Sequence, residues 1–219
     1  MSTMTGWAAQ GVALGAGSLL LTAVLLVWRA GTRNAALLLG VQGASLALLV
    51  LTLGVHHHDA ELVGVALLVL AVKAALVPWA VGTTASHVGT PPPARLSPAV
   101  ALVATTLLTT LGFWVSRPVV SASGPGAGAV PVGFALVLIG FMVMLTRRDA
   151  LAQLVGFVVV DNGIATVAFL AAGGVPLVVE LGVSVDVVLV VLILRVLVRR
   201  IEHVFGSTDL ALLEELSDR

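Results

Sequence analysis

Lys73, Asp161 and Asp186 each lie near the middle of a separate apolar stretch long enough to cross a bilayer, and no charged residue lies within ten positions of Asp161 on either side. An Asp or Lys at the centre of a spanning helix costs about 2.5 to 3.5 kcal/mol on insertion scales, and such groups face a bundle interior or a water-filled cavity. A lysine flanked by carboxylates on facing helices can exchange protons with them through water, so the three residues are candidates for one proton or ion path. The bland reading is a structural plug, in which a buried charge does no more than pair with a partner helix. Gln42, Asn162, Glu180 and His87 are accessory candidates for the same path.

These residues need helices to hold them. With 59% hydrophobic and 10% charged residues the chain falls outside the range of soluble domains, about a quarter of whose residues are charged. Mean hydropathy is +1.13. The composition therefore points to an all-α integral membrane protein, and 219 residues leave room for about seven spans and little else. There is no Cys, which excludes disulfides, iron–sulfur ligation by thiolates and thiol chemistry from this chain. No cofactor is expected. A formal net charge of zero argues against a nucleic-acid binder.

Apolar runs between polar breaks predict spans at 6–28, 35–55, 62–82, 97–116, 132–146, 150–173 and 175–198. The first is read as a retained helix, because no basic segment precedes it and no small-residue cleavage site follows. The fifth is short enough to extend back into the Gly/Pro-rich segment before it. Arg29, Arg33, Arg95, Arg147, Arg148, Arg199 and Arg200 fall in alternate loops or after the last span, whereas the opposite loops hold only Arg117. Basic loops stay on the cytoplasmic side, so the N-terminus is expected outside and the C-terminus inside a cytoplasmic (inner) membrane, with Arg195 snorkelling to the inner surface. Residues 1–205 then form one transmembrane domain, and residues 206–219 a short cytoplasmic tail.

On this topology Lys73, Asp161 and Asp186 all sit near the midplane, about 15 to 18 Å from their helix ends at 1.5 Å per residue. Pro78 follows Lys73 by five residues and is expected to kink the third span. Gly156 and Gly163 bracket Asp161, a pattern that suits close packing or mobility. A faint internal repeat joins Leu39-Gly40-Val41-Gln42 to Val155-Gly156-Phe157-Val158. Each is followed by an acidic residue, Glu61 or Glu180, and by a helix with a charge at mid-depth.

Several segments together resemble the hydrogenase-4 component E family: Val72-Lys73-Ala74-Ala75-Leu76-Val77-Pro78; Arg148-Asp149-Ala150-Leu151-Ala152-Gln153-Leu154-Val155-Gly156-Phe157; Asp161-Asn162-Gly163; Glu180-Leu181-Gly182-Val183-Ser184-Val185-Asp186; and Gly206-Ser207-Thr208-Asp209-Leu210. The resemblance spans most of the chain and is strongest over about 145–213, the part of that family similar to the K subunit of respiratory complex I and the C subunit of Mrp-type antiporters. It implies a non-catalytic membrane subunit of an energy-converting redox complex, with antiporter-like membrane subunits and a peripheral arm, such as a nickel–iron hydrogenase, as partners. By the same resemblance Asp161 and Asp186 stand where relatives carry membrane glutamates. Asp161 is one methylene shorter than Glu, so a water bridge to its neighbour is expected in place of direct contact.

His56-His57-His58-Asp59 is the one metal-like cluster in the sequence. Consecutive histidines cannot all face one ion without a folded loop, so a solvated outer loop is the better reading and no metal site is expected. His203, like His87, falls in an inner segment. The Thr90-Pro91-Pro92-Pro93 stretch reads as a stiff connector and residues 121–129 as a flexible outer loop. In the tail, Leu210, Leu213 and Leu216 recur at helical spacing behind a capping-type Ser207, which predicts an amphipathic helix suited to docking on a partner subunit. Two rival functions remain at this stage: a structural tether between antiporter-like subunits, whose charges only complete ion pairs, and a stand-alone secondary transporter.

Overall fold

The computed structural model describes residues 6–28, 32–85, 96–122, 125–147 and 150–171, and every regular element among them is helical. In chain order these are α1 (Gly6–Trp28), α2 (Thr32–His57), α3 (Ala60–Val69), a π-helical segment (Leu70–Leu76), α4 (Val77–Ala85), α5 (Pro98–Val115), α6 (Arg117–Ala122), a 3₁₀ turn (Pro125–Ala129), α7 (Val130–Thr146) and α8 (Ala150–Ala171). They make six stretches long and apolar enough to cross a membrane, with α3, the π segment and α4 running on as one span and α5 continuing into α6. The expected seventh span at 175–198, the tail at 206–219 and the proline connector at 90–93 lie outside the described residues.

Helix α2 is the hub of one half of the bundle. It packs on α1, α3, the π segment and α4, and it reaches across to α8. Helix α7 is the hub of the other half, set against α8, α5 and α1. The sixth span is the most buried and the fourth the least, so α8 lies inside the bundle and α5 on its rim. Leu19, Leu39, Leu46, Leu136, Ile139 and Phe169 are among the side chains closed off in the core. Lipid tails are as apolar as these residues, so shape and close approach hold such helices together more than escape from water does.

Glycines supply that approach along α7 and α8. A Cβ added at Gly156 would lie 2.6 Å from Met144 Cγ and 2.9 Å from the Gly140 carbonyl oxygen, and one at Gly163 would lie 2.7 Å from the Gly133 carbonyl oxygen. Two glycines seven residues apart on each helix therefore face each other across an antiparallel seam. The glycines around Asp161 thus serve close packing.

Hydroxyls in the spans are satisfied locally. Thr105, Thr109 and Thr146 donate to carbonyls four residues earlier at 2.7 to 2.8 Å, so these hydroxyls need no partner from lipid.

Two expected loops are shorter in the structure. Helix α2 runs on to His57, and the turn after it is only His58 and Asp59. His58 takes the left-handed conformation (φ 54°), while the His58 and Asp59 amides donate back to Val55 and Gly54 at 3.3 and 2.9 Å, closing the end of α2. The Asp59 carboxylate then accepts from the Glu61 and Leu62 amides at 2.9 and 3.2 Å and caps α3. The histidine-rich stretch is exposed at His57 and His58, as expected, but it is a helix end and a tight turn in place of a longer loop. Likewise the described residues of the 121–129 segment are helical. Ser121 and Ala122 complete α6, Pro125–Ala129 forms the 3₁₀ turn, and Ala127 is buried, because four small residues and a proline let the turn fold against α1, α7 and α8.

Candidate functional site

Lys73 is the largest fully buried side chain among the described residues, at 1% exposure. It occupies the middle of the π segment, thirteen residues into the span that begins at Ala60. Pro78 explains the local backbone. Having no N–H, it cannot donate to the Ala74 carbonyl, and Val77 N–H instead bonds back five residues to Val72. The expected proline distortion is therefore a widened turn that starts before Pro78 and contains Lys73.

Asp161 lies eleven residues into α8, and its Oδ2 is 2.9 Å from Lys73 Nζ. The aspartate side chain is 10% exposed. The two charges thus neutralise each other at mid-depth, between the third and sixth spans.

Direct contact corrects the expectation of an intervening water. The lysine-bearing backbone also lies close against α2: a Cβ built at Gly43 would fall inside the van der Waals shell of the Lys73 carbonyl and 2.6 Å from the Ala74 nitrogen. At Gly40, one turn earlier, the same atom would sit 3.4 Å from the Ala74 oxygen and 3.5 Å from Pro78 Cγ. Glycine at these two positions lets the lysine-bearing backbone settle onto α2.

A second polar pair lies beside the first. Asn162 Nδ2 donates to Gln42 Oε1 at 3.1 Å, and Gln42 Nε2 donates to the Leu19 carbonyl at 3.4 Å, a long bond. Thr166 Oγ1 donates to the Asn162 carbonyl at 2.7 Å. Gln42, Asn162 and Thr166 are all buried. Side chains or backbone of α1, α2, α8 and the π segment therefore meet in one polar layer.

Of the site residues expected from the sequence, Lys73, Asp161, Asn162 and Gln42 come together. Asp186, Glu180 and His87 lie outside the described residues. Sequence reasoning missed Gly43, Thr166 and the Leu19 carbonyl. Gly43 had a readable signal, since Gly40 and Gly43 flank the one amide side chain of the second span. Thr166 had none beyond its place one turn after Asn162. Among the described residues no three His, Cys, Asp or Glu side chains gather to hold a metal.

The chain is 43% identical over 208 residues to the uncharacterized protein Rv0085 of Mycobacterium tuberculosis, an overlap covering 93% of this chain and 94% of that one. The two belong to one family. A more distant likeness, 28% over 140 residues, joins the chain to hydrogenase-4 component E of Escherichia coli K12 and of Shigella flexneri, across 63% of this chain and 65% of each of those. No family model matches the chain, and no solved structure matches it.

Proposed function

We propose that this protein is a membrane subunit of a complex I-related redox complex of the hydrogenase-4 type, and that Lys73 and Asp161 take part in moving protons or cations through it. The observation that carries this reading is the Lys73–Asp161 pair itself, a titratable acid and base 2.9 Å apart and buried at the centre of two spans. Ionisable groups at that depth are expensive to insert, and in membrane proteins they mark ion and proton routes. Asp186, at similar depth by residue count, extends the same path, and Glu180 and His87 are its accessory groups toward either surface. The distant likeness to hydrogenase-4 component E supports the assignment to such a complex, with antiporter-like membrane subunits and a peripheral redox arm as partners in a cytoplasmic membrane.

The closed geometry of the pair favours a second reading. An acid already neutralised by an ammonium ties two helices together, and a tether between neighbouring subunits needs nothing more. The test is ion translocation in inverted membrane vesicles that contain the whole complex, with electron transfer measured in the same preparation. Asn replaces Asp with equal size and no titration, so Asp161→Asn and Lys73→Met/Asp161→Asn should assemble, pass electrons and fail to pump. Normal pumping in the assembled variants would establish the tether.

A further inference from the structure

Two consecutive residues of α2 reach the surroundings of the ion pair, one against Lys73 itself and one against the neighbour of Asp161. Gly43 packs against the backbone of Lys73, where any side chain atom would collide. Gln42 bonds to Asn162, the residue directly after Asp161. Neighbours on a helix point about 100° apart, so a single turn of α2 faces α8 with Gln42 and the π segment with Gly43. Asn162 and Asp161 divide the surroundings of α8 in the same way, with Asn162 toward Gln42 and Asp161 toward Lys73.

The direction of the amide chain is set by its first member. A backbone carbonyl only accepts, so the Leu19 oxygen requires the Nε2 end of Gln42. Gln42 Oε1 is then left to face Asn162, which must offer Nδ2, as it does at 3.1 Å. Asn162 therefore has one rotational setting in which the chain is satisfied. Its Oδ1 is buried and has no hydrogen-bond partner among the described residues.

We infer that Gln42 and Gly43 form a spacer that sets the distance between Lys73 and Asp161, with Gln42 a positioning residue acting through Asn162. Gly43 fixes how closely the lysine-bearing backbone approaches α2, and the Leu19–Gln42–Asn162 chain fixes the rotation and approach of α8. Attraction falls inversely with distance, so an extra 1 Å on the 2.9 Å contact weakens it by about a quarter. The spacer would thereby govern how readily Asp161 leaves Lys73, an inference that rests on the ion-translocation reading for its purpose but not for its geometry.

The experiment uses native membranes containing the complex and reads Asp161 directly. Dicyclohexylcarbodiimide enters the bilayer and modifies carboxyl groups released from a neighbouring ammonium, and mass spectrometry of the peptide carrying Asp161 gives the rate. Lys73→Met should raise labelling strongly and mark the upper limit. Gln42→Leu should raise it roughly fivefold, the equilibrium equivalent of one net hydrogen bond, and Gly43→Ala should raise it as well, by pushing the Lys73 backbone away from α2. Gln42→Asn shortens the amide link between α2 and α8 by one methylene and Asn162→Gln lengthens it, so the two together restore that span and give up only the long 3.4 Å bond to Leu19. The combined exchange should label within about twofold of wild type, a smaller change than one net hydrogen bond, while each single exchange stays fast. Single exchanges that label at the wild-type rate, or a combined exchange as fast as either single one, would overturn the spacer. If Gly43→Ala fails to assemble, the amide exchanges decide the matter alone. Labelling does not depend on pumping, so a spacer without ion transport and ion transport without a spacer give different results.

Discussion

Replacing Lys73 with Met keeps an unbranched chain of similar volume and removes the charge that faces Asp161. At 2.9 Å the attraction between unit charges is about 6 kcal/mol for an effective dielectric constant of about 20, before the cost of desolvating both groups is subtracted. That cost removes much of the gross figure, which is why a buried pair adds little over an apolar pair of the same shape. Breaking it from one side is different, because the remaining charge stays buried. Lys73→Met is therefore expected to destabilise the protein by about 3 to 5 kcal/mol, and Lys73→Met/Asp161→Asn by much less, since neither member of the double variant carries a charge. Denaturation of the purified protein or complex in nanodiscs of fixed lipid composition measures both, and the difference between the single and double variants gives the coupling. Equal stability of Lys73→Met and wild type, or a double variant as weak as the single one, would refute the claim that this contact is a desolvated ion pair.

Gly156→Ala should loosen the α7–α8 seam at a cost of about 1 to 3 kcal/mol, because its Cβ would come within 2.9 Å of the Gly140 oxygen; unaltered thermal stability would show that the helices are not in contact there. Asp59→Ala removes the cap of α3 and should cost about 1 kcal/mol, read by faster hydrogen exchange at the amides of Glu61 and Leu62. For orientation, a reporter placed at Gly126 should be outside the cell and one fused after Arg219 in the cytoplasm; the reverse pattern would overturn the topology read from the arginines.

Much of the fold was legible before any coordinates. Runs of apolar residues broken by arginines, glycines and prolines placed six spans within a few residues of the observed helices, because backbone groups in lipid must be satisfied within the same segment and only long helices do that. Depth was legible too. Lys73 and Asp161 meet because residue count along a helix is distance across the membrane, and both sit near the middle of their spans.

What one dimension lacks is rotation about each helix axis and the choice of neighbour. Nothing in the order of residues says that Gln42 faces Asn162, 120 positions later, or that α8 lies beside both α7 and α2. Nor does it say that Lys73 lies in a π-helical turn, although Pro78 marked the place where the backbone would depart from the α-helix. The water expected between a short aspartate and its partner gives way to a direct contact at 2.9 Å, a distance set by how the helices pack. Sequence alone determined which residues are charged and that Lys73 and Asp161 lie midway along apolar helical stretches, because that follows from transfer free energy along a single segment. Which charge meets which, at what distance and beside which amide, was decided by tertiary packing, because it depends on steric fit among helices far apart in the chain.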